Sequence, residues 1–332
     1  MFILTIVGLS FTGCNLISNI IDKGGIEATQ NQLKRNNQEI ITLGKYPQSE
    51  KSSSVNIVSE ETTKVNGWDC YEGSDGEKYV KLIVTKTENG ETSNETKYYK
   101  VEPLKWRVLT TDYNGTGKKL LFCEKLIDCC YYIDNSCPAE RTIDGKTIYA
   151  NNYKHSRVRA FLNGLSYEIE EYGLHPETSS LGYWDKTISE FDGKGFFQLA
   201  FSEEEKNRVA ATVVDNSTGV DSRFKCENTS DKIFLLSKKE IQNTDYGFPS
   251  EDDELDFPAR SREATAFAKA RGLHTFELLR TPYKDTEHYK AVWQVYNVII
   301  EYNGTTTDYR GKFDDGTVIR GSGIIPALCL EN

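Results

Sequence analysis

SDKIFLLSKKE, residues 230–240, decides how this chain is read. Ile233, Phe234, Leu235 and Leu236 form an unbroken apolar run behind a polar Asn-Thr-Ser-Asp lead. That pattern suits a short strand covered on both faces better than a half-exposed one. Ser237 then stands three residues before Glu240. At this spacing the serine hydroxyl and the glutamate carboxylate each accept from an amide that a helix start leaves open. The expectation is a buried strand passing directly into a capped helix. A second such box, Ser202 with Glu205, follows the apolar Phe201 in GFFQLAFSEEEKNRVAATVV, residues 195–214.

Two more helices are expected. In HSRVRAFLNG, residues 155–164, Val158, Phe161 and Leu162 share a face, with Ser156 to cap the start and Asn163-Gly164 to end it. REATAFAKARG, residues 262–272, reads as an alanine-rich helix stopped by Gly272. Before them, residues 68–127 carry Asp75-Gly76, Asn89-Gly90 and Asn114-Gly115 between strand-like runs. Such pairs supply the positive φ of tight hairpins, so about four antiparallel strands fit there. After Gly272 the chain returns to strands in FELLRTPYK, AVWQVYNVIIEYNG and GTVIRGSGIIPALCLEN. The fold class expected is α+β, mainly antiparallel sheets with several short helices. It forms a single domain over residues 41–332 with an inserted hairpin region at about 49–98.

Composition narrows the chemistry. The chain has 332 residues, with 50 acidic against 40 basic and a net charge of −10, the wrong sign for a nonspecific grip on nucleic acid. None of the four histidines, His155, His175, His274 and His288, lies in a His-Glu-x-x-His pattern, and no Gly-x-Ser-x-Gly elbow occurs. FDGKG, residues 191–195, lacks the first glycine and the trailing hydroxyl of a phosphate loop. Asp112, Asn114, Thr116 and Gly117 resemble the start of a calcium loop, but Cys123 stands where the closing glutamate belongs, which favours a hairpin turn. EDDELD, residues 251–256, reads as a solvated acidic loop. No catalytic residue, metal or cofactor is expected from these patterns. Arg157, Arg159 and Arg280 are expected to lock strands and helices through carboxylates. The 19 Tyr and 4 Trp serve packing and, where exposed in loops, recognition.

Of the 8 cysteines, no two form a Cys-x-x-Cys pair, so neither a zinc ribbon nor a redox motif is indicated. Cys129, Cys130 and Cys137 suit either a disulfide within one loop or small buried apolar groups. Cys14 is different. Residues 1–11 are apolar apart from Thr5, Gly8 and Ser10, and Thr12-Gly13 precedes the cysteine. This is similar to a bacterial lipobox, although Phe11 stands where an aliphatic residue is usual. The similarity implies a signal peptide over residues 1–14, a diacylglyceryl group on Cys14, a polar tether or loosely held helix over 15–40, and a lipid-anchored place on the extracytoplasmic cell envelope.

The landmarks ITLGKYPQ, EPLKWRVL, the Ser156/Arg159/Phe161-Leu162-Asn163 helix, AFSEEE, DKIFLLSKKE, ATAFAKARG, LLRTP and IIPALCL follow one another over residues 41–330. In that order they resemble an uncharacterised bacterial family, domain of unknown function 6273, found in surface and secreted proteins. The resemblance assigns motif positions to Arg159, Ser202, Glu205, Asp231, Ser237, Glu240, Arg280 and Pro326. Two positions depart from it: Leu278-Leu279-Arg280-Thr281 replaces Trp-Leu-Arg-Ser, and Ile325 replaces an arginine before Pro326-Ala327. It also implies a C-type-lectin-like fold, like that of sulfatase-modifying enzymes, though the Glu-Pro-Asn and Trp-Asn-Asp sugar motifs are absent. The leading expectation is a surface domain that binds a glycan or protein ligand through Tyr/Trp-rich loops. The alternatives are an extracytoplasmic enzyme using Cys226 or Cys329 as a thiol, and a purely structural envelope component.

Overall fold

The computed structural model describes residues 23–88, 91–133, 140–165, 194–216, 224, 226–250, 258–273, 276–283, 291–302, 305–318 and 321–331. It begins with helix α1 (Lys23–Asn37) inside the stretch read as a tether. The C-terminal end of α1 is tied down: Lys34 Nζ donates to Thr244 O at 2.8 Å, Arg35 to Gly247 O at 2.7 Å, and Gln38 just beyond it to Tyr246 O at 2.9 Å. Strand β1 (Ile40–Glu50) follows, then β2 (Thr63–Val65), β3 (Trp68–Glu72), β4 (Lys78–Glu88), β5 (Glu91–Thr110) and β6 (Lys119–Cys123). The last four are the antiparallel strands expected between residues 68 and 127.

β5 organises this sheet. At Tyr99 its partners are Val80 of β4 and Glu50 of β1, and at Trp106 they are Cys123 of β6 and Ile41 of β1. One edge of β5 is therefore covered by β1, while β4 and β6 share the other. The hairpin region at 49–98 is continuous with this sheet. The Asn114-Gly115 turn between β5 and β6 is a short 3-10 turn in which Asp112 Oδ1 accepts from Gly117 N at 2.6 Å.

The chain then crosses into a second sheet through β7 (Asp128–Tyr131). A small hairpin, β8 (Glu140–Ile143) with β9 (Lys146–Tyr149), precedes helices α2 (Arg157–Asn163), α3 (Phe196–Ala200) and α4 (Glu203–Arg208). Strands β10 (Thr212–Val214) and β11 (Thr229–Asp231) pair, and β12 (Ile233–Phe234) joins the edge of the first sheet. Helix α5 (Ala266–Ala270) leads to β13 (Phe276–Pro282) and β14 (Ala291–Tyr296). The ribbon β15 (Ile299–Tyr302) with β16 (Thr305–Asp308) comes before β17 (Phe313–Thr317), β18 (Gly321–Ile324) and β19 (Ala327–Leu330). The second sheet runs β17-β14-β13-β18-β7 and is antiparallel apart from the β13–β18 contact. The α+β class with mainly antiparallel sheets is thus the observed one.

The two sheets share a bent ribbon. β6 pairs with β19 and β7 with β18, so both strands pass from one sheet to the other side by side. At the bend Cys123 N donates to Pro326 O and Ile127 N to Ile324 O, each at 3.0 Å. Ile233, Phe234, Leu235 and Leu236 are buried beside it, as the apolar run requires. The helix expected after Ser237 does not form. Its capping hydrogen bonds are present, with Glu240 N donating to Ser237 Oγ at 3.2 Å and Ser237 N to Glu240 Oε2 at 2.7 Å, but only the 3-10 turn Glu240–Gln242 follows. Asn243 then caps a second 3-10 turn, Thr244–Tyr246, through its own side chain, a local bond that competes with helix continuation.

The box at Ser202 does start a helix, and it also holds β1. Glu205 accepts from Ser202 N at 2.9 Å with one oxygen and from Gly44 N at 2.8 Å with the other. Burial would raise the pKa of Glu205, but the amides of Ser202 and Gly44 outweigh it and hold the carboxyl below its usual range. Gly44 itself has φ +75°, and a Cβ there would lie 2.8 Å from the Phe201 ring. Gly44→Ala is expected to destabilise the fold by about 1–3 kcal/mol, read as a lower midpoint in thermal unfolding.

Candidate functional site

The charged positions picked out in the sequence are placed in the interior. Arg280 of β13 faces Glu240 with NH1–Oε2 at 2.5 Å and NH2–Oε1 at 3.0 Å. Glu240 also accepts from the Tyr113 hydroxyl at 2.6 Å, and Arg280 donates to Leu235 O at 2.7 Å. Burial would raise the Glu240 carboxyl, but the Arg280 guanidinium and then the Ser237 amide outweigh it and keep it low. Arg159 of α2 holds Asp231 through Nε and NH2, each at 2.8 Å, while Thr229 donates to the other Asp231 oxygen at 2.6 Å. Asn163, at the end of α2, accepts from Lys232 N and Ile233 N and donates to Ile233 O at 2.8 Å. A third lock was not foreseen: Asp128 accepts from Arg271 at 3.1 Å and from the Tyr46 hydroxyl at 2.6 Å, fastening β1 to β7. Pro326 contributes its carbonyl to the bend.

Arg280→Met removes one partner of a buried pair and is expected to destabilise by about 3–5 kcal/mol. In urea unfolding, the double variant with Glu240→Leu is expected to lose less than the sum of the singles, with a coupling above about 1 kcal/mol.

Cys226 and Cys329, the thiols an enzyme would use, are buried and free. Burial pushes both upward, Cys329 to about 11, whereas a thiolate nucleophile needs the opposite shift. Cys129 and Cys130 are also free and buried, as small apolar groups; Cys137 and Cys14 lie outside the described residues, as do the acidic run at 251–256 and residues 191–193 of FDGKG. Among the described residues no cluster of three or more metal-ligating side chains occurs. Every tyrosine, tryptophan and phenylalanine with a described side chain is buried or half-buried, so these residues form no exposed aromatic loop surface. The reason is packing: Trp106 is wholly buried with its indole N–H on Leu43 O at 2.8 Å, and Tyr46 meets Trp68, Phe196 and Phe267 edge-on or tilted.

One interior carboxyl is not ion-paired. Glu277 of β13 accepts from Arg262 N at 2.9 Å and contacts Ser261 Oγ at 2.8 Å, and its Oε2 has no hydrogen-bond partner. Ser261 Oγ also lies 3.0 Å from Asn297 Oδ1, and Asn297 donates its amide to Arg262 O, which fixes that oxygen toward the serine. One hydroxyl proton cannot serve two acceptors. With Glu277 ionised Ser261 donates to it; with a proton on Glu277 the hydroxyl is free to donate to Asn297. Burial pushes Glu277 from its ordinary 4.5 up to about 8, against the Arg262 amide, the Ser261 hydroxyl and the Arg262 charge.

The folded state alone holds this proton between pH 4.5 and about 8, so the contribution is complete below 4.5, falls as pH rises through that window and is gone above it. Glu277→Gln keeps the site neutral. Its melting temperature is expected to gain on the wild type steadily from about pH 5 to about pH 8 and no further, measured by thermal unfolding across pH.

At the surface, a cleft of about 220 Å³ opens beside the β8–β9 hairpin. Asp144-Gly145, with φ 51° and 72°, makes the tight turn that brings Lys146 and Thr147 to one wall. The 3-10 turn Tyr153–His155 supplies Lys154 and His155, and Asn152 caps that turn by accepting from His155 N at 3.4 Å. Cys226 and Glu227 close the cleft from below the β10–β11 pair. Lys146 Nζ lies 3.0 Å from Glu227 Oε1, and Lys154 Nζ donates to Oε2. Hydrogen bonds and charge from Lys154 and Lys146 depress Glu227 to about 2. Burial first, then Lys154, Arg141 and Arg159, hold His155 below its ordinary range. The Cys226 thiol points to Asn216 O, at 4.0 Å. The Asp144-Gly145 pair is the one sequence signal that marks this region; the convergence of residues 146, 154 and 227 has none.

A family model, Domain of unknown function (DUF6273), matches residues 116–332. The chain belongs to this family. No curated protein and no solved structure matches it. The DUF6273 span contains the second sheet, the buried carboxylates Asp128, Asp231 and Glu240, and the cleft. It starts in the turn before β6, so β1 and β5, which bury Tyr46 and Trp106 in the same core, lie ahead of it.

Proposed function

We propose that this DUF6273 chain is a cell-envelope lipoprotein, held by lipid on Cys14, whose folded part is a binding module for a glycan or protein ligand at the cell surface. The observation that carries the reading is the division of its charges. Asp128, Asp231 and Glu240 are each engaged by an arginine and further donors in the interior, whereas the cleft at Lys146, Lys154 and Glu227 presents ionic groups that solvent reaches. Groups locked in that way do not reach a substrate, while exposed ones exchange partners readily. Antiparallel sheets joined through short helices also support the C-type-lectin-like reading of the fold, an analogy that carries no function by itself.

A second reading, an extracytoplasmic enzyme working through Cys226, is favoured by one observation: His155 lines the same cleft. The upward shift of that thiol weighs against it.

Metabolic palmitate labelling of the wild type and of Cys14→Ser, with fractionation and protease shaving of intact cells, tests the anchored reading. Label lost in the variant and a domain shaved from outside are expected. Unlabelled chain protected from protease in the cytosol would overturn it.

A further inference from the structure

Two ammonium groups from separate elements, Lys146 at the start of β9 and Lys154 in the turn before α2, meet on the two oxygens of one carboxylate. Glu227 is well exposed, with 58% of its side-chain surface open, and among the described residues those two lysines are its carboxylate partners. An exposed pair of this kind is weak against water and competing ions. The position between the lysines is therefore a carboxylate site whose occupant, among the described residues, is held by those two ammonium groups. The lining sets two ammonium groups, Lys146 and Lys154, against two carboxylates, Asp144 and Glu227, so it becomes net positive once Glu227 turns away.

The size of the cleft limits what enters. A volume of about 220 Å³ is smaller than the pockets of drug-sized ligands. Thr147 and Asn152 add a hydroxyl and an amide, and polar groups outnumber Ile143 and Ile148 along the lining. Such walls suit a hydroxylated ring better than an apolar side chain.

We propose that the cleft binds an acidic sugar unit through its carboxylate, which takes the place of Glu227 between Lys146 and Lys154. Glu227 is then a resident competitor that keeps the lysines apart from stray anions until a ligand with further contacts displaces it. This rests on the binding-module reading and names the chemistry of its ligand.

The test uses the full chain in nonionic detergent, with D-glucuronate, D-glucose, D-glucosamine and N-acetyl-L-alanine followed by ligand-observed NMR and calorimetry. D-glucuronate is expected to bind about tenfold or more tighter than D-glucose, and the Lys146→Gln/Lys154→Gln variant to lose about that factor. Glu227→Gln is expected to tighten D-glucuronate by a few fold, because the competitor is gone. Loss of D-glucuronate binding in Glu227→Gln would overturn the proposal, since Glu227 would then be a ligand contact. Tighter binding of N-acetyl-L-alanine than of D-glucuronate would overturn the sugar assignment, and no binding by any probe would overturn the site. Preference for D-glucose or D-glucosamine would overturn the carboxylate chemistry and leave the binding-module reading standing. All the substituted side chains lie at the surface, so unchanged thermal unfolding separates loss of binding from loss of fold.

Discussion

The carboxylate of Glu240 takes five hydrogen bonds, two from Arg280, two from Ser237 and one from Tyr113. Those donors come from β13 in the second sheet, from the turn after β12, and from the turn between β5 and β6. A charge removed from water needs such complete satisfaction to be tolerated, and in return the three segments have a single relative placement. Asp128 and Asp231 repeat the arrangement on a smaller scale, each with an arginine and a hydroxyl. The interior ionic groups of this protein join sheets to each other and to the helices. What remains chemically available lies on the outside.

Much of the architecture was legible locally. The apolar run at 233–236, the Asp-Gly and Asn-Gly pairs, and the caps at Ser156 and Ser202 each report on a few neighbouring residues, and local rules govern them. The two Ser-x-x-Glu boxes show where such rules stop. The same spacing at Ser202 starts α4, while at Ser237 the glutamate is shared with Arg280, some 40 positions onward, and the chain yields a 3-10 turn. The cleft was illegible for a related reason. Lys146, Lys154 and Glu227 fit no motif, and only the folding of a hairpin against a distant strand pair brings them together. Glu277 reads in FELLRTP as an ordinary polar strand residue; its burial depends on which strands β13 lies between. The aromatic residues with described side chains are buried or half-buried, packed in and around the core.

The span that matches the DUF6273 family, residues 116–332, does not close the first sheet by itself. Without β1, Asp128 loses the Tyr46 hydroxyl. Without β5, one edge of β6 is bare. Edge strands exposed in this way are templates for aggregation, so the segments ahead of Thr116 complete the sheet as well as extend it.

The bent ribbon has a bearing on how the chain comes to be folded. β6 and β19 lie roughly 200 positions apart, and β19, the partner of β6 on one side of the bend, is the last strand of the described chain. Contacts of that separation close a very long loop, which slows their formation. Neither sheet is complete until β18 and β19 are in place. Until then β6 and β7 each keep an unpaired edge, the state in which a strand can take a wrong partner.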